Sequence, residues 1–371
     1  MLIYLYPSMT FELRSKSGRW SLILPIVLVL LIKLLSLNHI WVENAYSTGF
    51  FPGIGIILRK LTGWIPFSFG DIIYLVAGCW LLWKIINFSI LLIKKKIKRN
   101  NVLMALRKLF LIALWVYIIF NIFWGLNYNR RGIGYQLNLS QKKYDTTALK
   151  KILIVLLMKV NSSKQSLIDH PENYPSDKEL FRRAGSCYLA ATKNYAFLQY
   201  SQPSAKSSMY SLWGSYLGFT GYYNPFSGEA QVNTTIPKFI LPYTTCHEIA
   251  HQLGYAKEDE ANFVGYLAAT SSDDILFHYS AYLDLFLYAA REVSVRDRFF
   301  AVAAFRELLP GIKSDLKEWN DFLRRHKSFV EPIMSWAYTK YLKANQQPKG
   351  MQTYNEVVAN LIAYYKKYGK I

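Results

Sequence analysis

His247-Glu248-Ile249-Ala250-His251 is the run of this chain whose residue types and spacing could do chemistry. On a helix, residues four apart stand one above the other, so two imidazoles can aim at one metal ion. Glu248, next to His247, leans toward the open coordination position and can take the proton of a bound water. Two imidazoles, a third protein ligand and a water form the usual donor set of a catalytic zinc. The pentad therefore predicts one Zn2+ ion and hydrolysis of a peptide bond by a metal-activated water. The competing readings are a buried helix carrying two hydrogen-bonded histidines, and a metal kept for structure alone.

The residues that follow give the pentad a setting. Gly254 stands where a helix bearing both histidines must end, since Gly adopts the left-handed conformation at little cost. A second helix can then start near Glu258, with Phe263, Tyr266 and Leu267 as its apolar stripe. Glu258 is the favoured third ligand, because Asn262 falls four residues later on the same face and can hydrogen-bond a ligating imidazole; Glu260 is the alternative. Here the sequence resembles the gluzincins, zinc peptidases whose third ligand is a Glu on a following helix. It departs from them in carrying Asn262 for the usual Asp and in the short step from His251 to Glu258. That step is closer to the metzincin spacing, whose third His would fall at Lys257 and is absent.

Elements to position this cluster can be read along all 371 residues. The expected architecture is mainly α: three amino-terminal transmembrane helices, then a zincin-like α+β, mostly helical domain with a short β element before the metal helix. The spans are expected at about 21–41, framed by Trp20 and Trp41, at 72–93, interrupted by Lys84, and at 109–126. Residues 1–127 then form the membrane region and 128–371 the second domain. The first span shows no cleavage signal and reads as an uncleaved anchor. Arg14, Lys16 and Arg19 precede it, and Lys94, Lys95, Lys96, Lys98, Arg99, Arg107 and Lys108 fill the connection between spans two and three, against Arg59 and Lys60 in the other loop. Positive-inside counting places the amino terminus and the 94–108 loop in the cytoplasm and the second domain outside. Part of the net charge of +20 is thus topological, and the Lys-rich run suits anionic lipid better than nucleic acid, for which no P-loop or zinc-finger pair is present.

Helical periodicity predicts helices at 147–160, 178–200, 241–253, 258–270, 274–292, 297–308, 314–326, 329–343 and 353–368. Between them, 218–237 is rich in Gly, Pro and β-branched residues and suits one or two short strands, with 230–236 the best candidate. In zincins the strand before the metal helix binds an extended peptide by backbone hydrogen bonds, which marks Ala230, Gln231, Val232 and Asn233 as the substrate strand. Glu229 reads as a surface carboxylate, with substrate amino-terminus binding as the sharper option. An oxyanion donor is expected among Tyr222, Tyr223, Tyr341 and Tyr354, with His278 and His326 as further options. Cys79 falls in span two, and Cys187 and Cys246 read as buried free thiols, with a disulfide between them as the alternative.

The three spans, the Tyr-Asn-Pro-Phe-Ser-Gly-Glu-Ala-Gln-Val-Asn stretch, the Leu-Pro-Tyr-Thr-Thr-Cys-His-Glu run and the Glu-Asp-Glu-Ala-Asn-Phe continuation together resemble a bacterial membrane protein family known as domain of unknown function 3810. The resemblance covers nearly the whole chain. It implies a multi-pass protein of the bacterial inner membrane with a periplasmic zincin-like domain, and it brings no substrate. The expected function is a membrane-anchored zinc metallopeptidase acting on a peptide or protein. The alternative is an inactive zincin-like membrane protein that binds a partner or cell-wall component. A transporter is disfavoured by three spans without paired ionisable groups.

Overall fold

The computed structural model describes residues 17–94, 99–140, 144–347 and 356–371. Arg14, Lys16, Lys95, Lys96 and Lys98, on which the expected orientation partly rests, lie outside them, as does Tyr354. The chain opens with α1 (Ser17–Ser36), α2 (His39–Trp41), a π-helical stretch (Val42–Phe50) and α3 (Phe51–Thr62). Asn38 caps the start of α2 by accepting from the Trp41 amide at 3.0 Å, and the legs Ser21–Ser36 and His39–Thr62 meet at 89°. Two helices, α4 (Phe69–Ile93) and α5 (Arg99–Phe123), are long and apolar enough to cross a membrane, and the bent pair brings the possible total to three. None of the most apolar stretch of α4 is buried within the molecule.

These bounds correct the sequence reading at three points. The first helix, α1, ends at Ser36, short of the 41 expected for the first span. α5 begins at Arg99, not near 109, so Arg99, Arg107 and Lys108 sit on the helix. Residues 39–62, expected as a loop, are helical and built into the rest of the protein, because their polar groups find buried partners there. Glu43 accepts from Arg130 at 2.7 Å and from the Arg131 and Gly132 amides, while Arg59 donates to the carbonyls of Ser201 and Gln252.

After α5 come a 3-10 turn (Gly125–Asn129), α6 (Gly132–Gln136), α7 (Thr146–Asp169), α8 (Asp177–Ala191) and a 3-10 turn (Ala196–Leu198). Next are β1 (Ala205–Ser207), α9 (Ser211–Leu217), β2 (Gly221–Asn224) and β3 (Glu229–Val232). The chain finishes with α10 (Leu241–Gln252), α11 (Glu258–Ala269), α12 (Ile275–Arg296), α13 (Arg298–Arg306), α14 (Pro310–Arg325), α15 (Glu331–Ala344) and α16 (Glu356–Tyr368). The expected helices are recovered, with 178–200 ending early at Ala191; β1 and α9 carried no signal strong enough to read. Leu149, Ile152, Leu153, Leu156, Leu157 and Val160 of α7 are buried at helical spacing against α12. α10 is enclosed by β2 and β3 on one side and by α8, α11 and α12 on the others, which explains why nearly every residue of it is buried.

The sheet order is β1-β3-β2, with β3 parallel to β1 and antiparallel to β2. Ala230, Gln231 and Val232 are therefore flanked by strands on both sides, with Asn233 just beyond. They cannot receive a peptide by edge pairing, which corrects the expectation for them; the edges of this sheet are β1 and β2. Glu229 is fully buried, not a surface carboxylate. It accepts from the Phe69 and Gly70 amides at 3.2 and 2.6 Å, capping the first turn of α4, and pairs with Lys206 at 2.8 Å. Lys206 in turn donates to the carbonyls of Thr62, Ile65 and Phe67, so the α3–α4 link is tied to the sheet.

Candidate metal centre

His247 and His251 lie one turn apart on α10, their ring centres 4.7 Å apart and their planes nearly perpendicular. Gly254, with φ +83°, closes the helix as its sequence position predicts, and the chain re-enters as α11 with Glu258 as its first residue. Gly265 makes the approach of the two helices possible: a β-carbon there would stand 3.1 Å from the His247 amide nitrogen. As a result a Glu258 oxygen sits 3.3 Å from His247 Nε2 and 3.8 Å from His251 Nε2. The donor atoms of His247, His251 and Glu258 all fall within 4.8 Å of one another. Ligands of a tetrahedral zinc at ~2.0–2.1 Å lie about 3.3 Å apart, so the cluster needs only small adjustments to close on such an ion.

The tautomer is also set. His251 Nδ1 lies 2.8 Å from the Tyr255 carbonyl, which it can satisfy only as N–H, leaving the Nε2 lone pair to face Glu258. His247 Nδ1 is buried and has no hydrogen-bond partner among the described residues. Burial alone would lower the His247 pKa, but the hydrogen bond to Glu258 and the charges of Glu248, Glu258 and Asp284 raise it to about 9. Burial works against the Glu258 carboxylate, and the two imidazoles outweigh it, holding the group well below its ordinary value. Glu248 is buried beside them, its Oε2 without a partner, and burial pushes its carboxyl up to about 7 against the opposing pull of the two histidines.

Glu260 takes no part in the cluster. It pairs with Lys257 at 3.4 Å and lies against Gly132. Asn262 lines the same cavity, but instead of an imidazole it meets tyrosines: Tyr243 donates to its carbonyl at 2.8 Å, and its side-chain nitrogen makes no hydrogen bond among the described residues. Tyr222 lines the cavity too, but its hydroxyl donates to Asp71. Tyr341 accepts from Tyr128 at 3.1 Å and lines the cavity, as does Tyr223, whose buried hydroxyl has no partner. His278 and His326 lie outside the cavity, bound to the carbonyls of Ser272 and Phe322. Cys187 and Cys246 are buried free thiols.

Several site residues escaped the sequence reading. Tyr338 of α15 donates to Glu258, Asp284 and Tyr288 of α12 line the cavity, and Gly221 of β2 touches Glu248. Each is brought in from a distant element with no local pattern to mark it. Trp124, one residue past α5, donates its indole N–H to the His251 carbonyl at 3.0 Å and sets its ring against those of His251 and Tyr223. The only hint it offered was an aromatic residue at the end of an apolar run.

Gly221 yields a direct expectation. A β-carbon there would meet the Glu248 carboxyl at 2.5–2.7 Å, so Gly221→Ala must displace that flexible side chain while the strand is undisturbed. For a site that hydrolyses through a water activated by Glu248, turnover should drop about 10²-fold, the cost of a misplacement of roughly 1 Å. The melting temperature and metal content should stay at wild-type values; unchanged turnover in the purified variant would show that the position of Glu248 is immaterial.

The site thus belongs to a mainly helical protein whose apolar helices, two or three of which could cross a membrane, end directly beneath a His-Glu-His cluster. The chain belongs to the family described as Protein of unknown function (DUF3810), whose model matches residues 46–362. No curated protein and no solved structure matches it.

Proposed function

We propose that the protein is a membrane-anchored, zinc-dependent metallopeptidase. The observation that carries this reading is the convergence of His247, His251 and Glu258 at ligand spacing, with the unpaired carboxylate of Glu248 beside them. The three converging side chains would hold the ion, and two imidazoles with one carboxylate suit zinc. Bound zinc would supply Lewis-acid activation of water and of the scissile carbonyl. Glu248 accepts the proton of the attacking water and passes it to the leaving amine. Its buried setting suits this, since a base with a pKa near the working pH transfers protons in both directions. Tyr223, whose hydroxyl has no partner among the described residues, would steady the oxyanion, and the edge strand β2 would offer backbone groups to an extended substrate.

The same reading sets the protein in a bacterial inner membrane, with the amino terminus and the 94–108 region in the cytoplasm and the metal centre outside. α1 and α5 run parallel, Ser21 meeting Arg107 and Lys33 lying over Tyr117, which supports three alternating crossings by α1, α4 and α5. Metal analysis of the full-length protein, purified in detergent, tests the centre. Wild type should carry one zinc, and His251→Ala should lose at least about nine-tenths of it, as expected when one of three protein ligands is removed. Equal metal content in the two proteins, or none in either, would end the reading.

A further inference from the structure

The cavity that holds the cluster is about 780 Å³ and has an unusual wall. Its lining includes Val116, Phe120 and Trp124 from α5 or its end, Tyr74 from α4, and Met334 and Tyr338 from α15. Val116 lies seven residues before the last residue of α5, so the cavity runs about 10 Å down the side of a helix apolar enough to cross a membrane. Val116 and Tyr74 are exposed, at 51% and 38%, which makes them the rim of an opening and not part of a sealed floor. The lining is graded: aliphatic and aromatic at this rim, with His247, Glu248, His251, Glu258 and Asp284 together at the bottom and the one further carboxylate, Glu331, beside Gly218 and away from the α4–α5 rim.

A second observation fixes what lies outside the rim. Around the ends of α4 and α5 the protein exposes Trp64 at 78%, Trp213 at 67% and Phe329 at 87%, on the α3–α4 link, α9 and the lead into α15. α9 is held to the start of α4 through Tyr210 and Asp71, and Ser328 binds the Tyr216 carbonyl, so these aromatics belong to one connected region. Large aromatics left uncovered at the ends of apolar helices are the composition of a membrane interface.

Resting on the peptidase reading above, the geometry points to a substrate that enters from the side, out of the bilayer: a membrane-anchored polypeptide whose apolar anchor lies along the Val116 face of α5 while the adjoining extended segment reaches the metal along β2. A water-soluble peptide would have no use for an opening walled by the lipid-facing sides of α4 and α5. An anchored one meets apolar surface where its own side chains are apolar, and meets the ionisable groups only where its backbone leaves the lipid. Cleavage then falls within a few residues of the anchor.

The test uses the full chain with zinc, reconstituted in phosphatidylethanolamine–phosphatidylglycerol vesicles. Random octapeptides are presented in two forms, fused to a transmembrane segment in the same bilayer or free in solution. In the Glu248→Gln variant, a benzophenone side chain at position 116 should capture the anchored form at least about tenfold more than one at position 115, on a different face of α5 outside the cavity lining. Wild type should cleave anchored octapeptides with an apparent kcat/KM roughly 10²-fold or more above the free ones, the gain expected from confinement. Capture of lipid alone at position 116, or of free and anchored peptides alike, overturns the side entry. Capture of the anchored form without cleavage by wild type would leave the side entry standing and sink the peptidase reading instead.

Discussion

Glu248→Gln is expected to reduce peptide hydrolysis about 10²–10⁴-fold, the range that a lost general base costs, while zinc content stays at wild type. Gln keeps the volume and polarity of the side chain, so the contact with Gly221 and the packing of α10 need no adjustment. It cannot accept a proton. Glu248 is not one of the three converging donors, so the substitution takes no donor from the site that would hold the ion. Hydrolysis of a peptide library, read by mass spectrometry beside metal analysis of the same samples, separates the two functions. A protein in which the metal only braces a partner-binding domain would behave differently, with no wild-type hydrolysis to lose. Undiminished hydrolysis by the Gln variant would instead assign the base to another group.

How much of this was legible in the sequence depends on whether the cause is local. The pentad and the turn at Gly254 are governed by spacings of four residues or by one residue's backbone preference, and both lie where the sequence put them. The long helices follow from the 3.6-residue period in the same way. Glu258 was preferred over Glu260 on the strength of Asn262 as a partner of an imidazole. The structure gathers Glu258 into the cluster, yet Asn262 faces Tyr243 instead.

What failed to show was set by contacts between distant segments. The order of three short strands decides which one is an edge, and order is not a property of any strand's own residues. Glu229 looked like a loop carboxylate because its partners, the first amides of α4, come from 160 and 159 residues away. Residues 42–62 gave no sign of burial because the charged Glu43 and Arg59 stand among the buried Val42, Tyr46 and Phe51, and the partners that satisfy those charges lie far along the chain. The same contacts bind the apolar helices to the metal centre. Glu229 caps α4, Trp124 at the end of α5 holds the last turn of α10, and Arg59 reaches the Gln252 carbonyl at the end of that turn. The two regions that the sequence separates near residue 127 are therefore mechanically one, with the metal helix resting on the ends of the helices that could cross a membrane.

Glu43 is the residue on which that union should depend most. Its carboxylate accepts from Arg130 twice, from the Arg131 and Gly132 amides and from Gln136, all at 2.7–3.1 Å, and both charged side chains are 2% exposed. Arg130 also donates to the Gly254 carbonyl, so the pair connects the segment after α1 to the turn that follows His251. Glu43→Ala leaves a buried guanidinium without its counter-charge, and about 3–5 kcal/mol of stability should go with it. Spread over a domain of this size, that lowers the melting temperature by roughly 6–20 °C, measurable by thermal unfolding of the detergent-solubilised protein. The Glu43→Met/Arg130→Met double variant should recover part of the loss, and only part, because the Arg131 and Gly132 amides stay without an acceptor. The dependence on pH has a definite sign. Burial raises the Glu43 pKa, but the hydrogen bond and charge of Arg130 and the two backbone amides outweigh it, so the folded value lies below the ordinary 4.5. The stability contributed by the ionised carboxylate is therefore present above pH 4.5 and disappears as pH falls through the lower folded value. The gap in melting temperature between wild type and Glu43→Ala should accordingly be widest near neutral pH and narrow in acid; a gap that widened on acidification would mean that Glu43 is held in its protonated form and that Arg130 finds its compensation elsewhere.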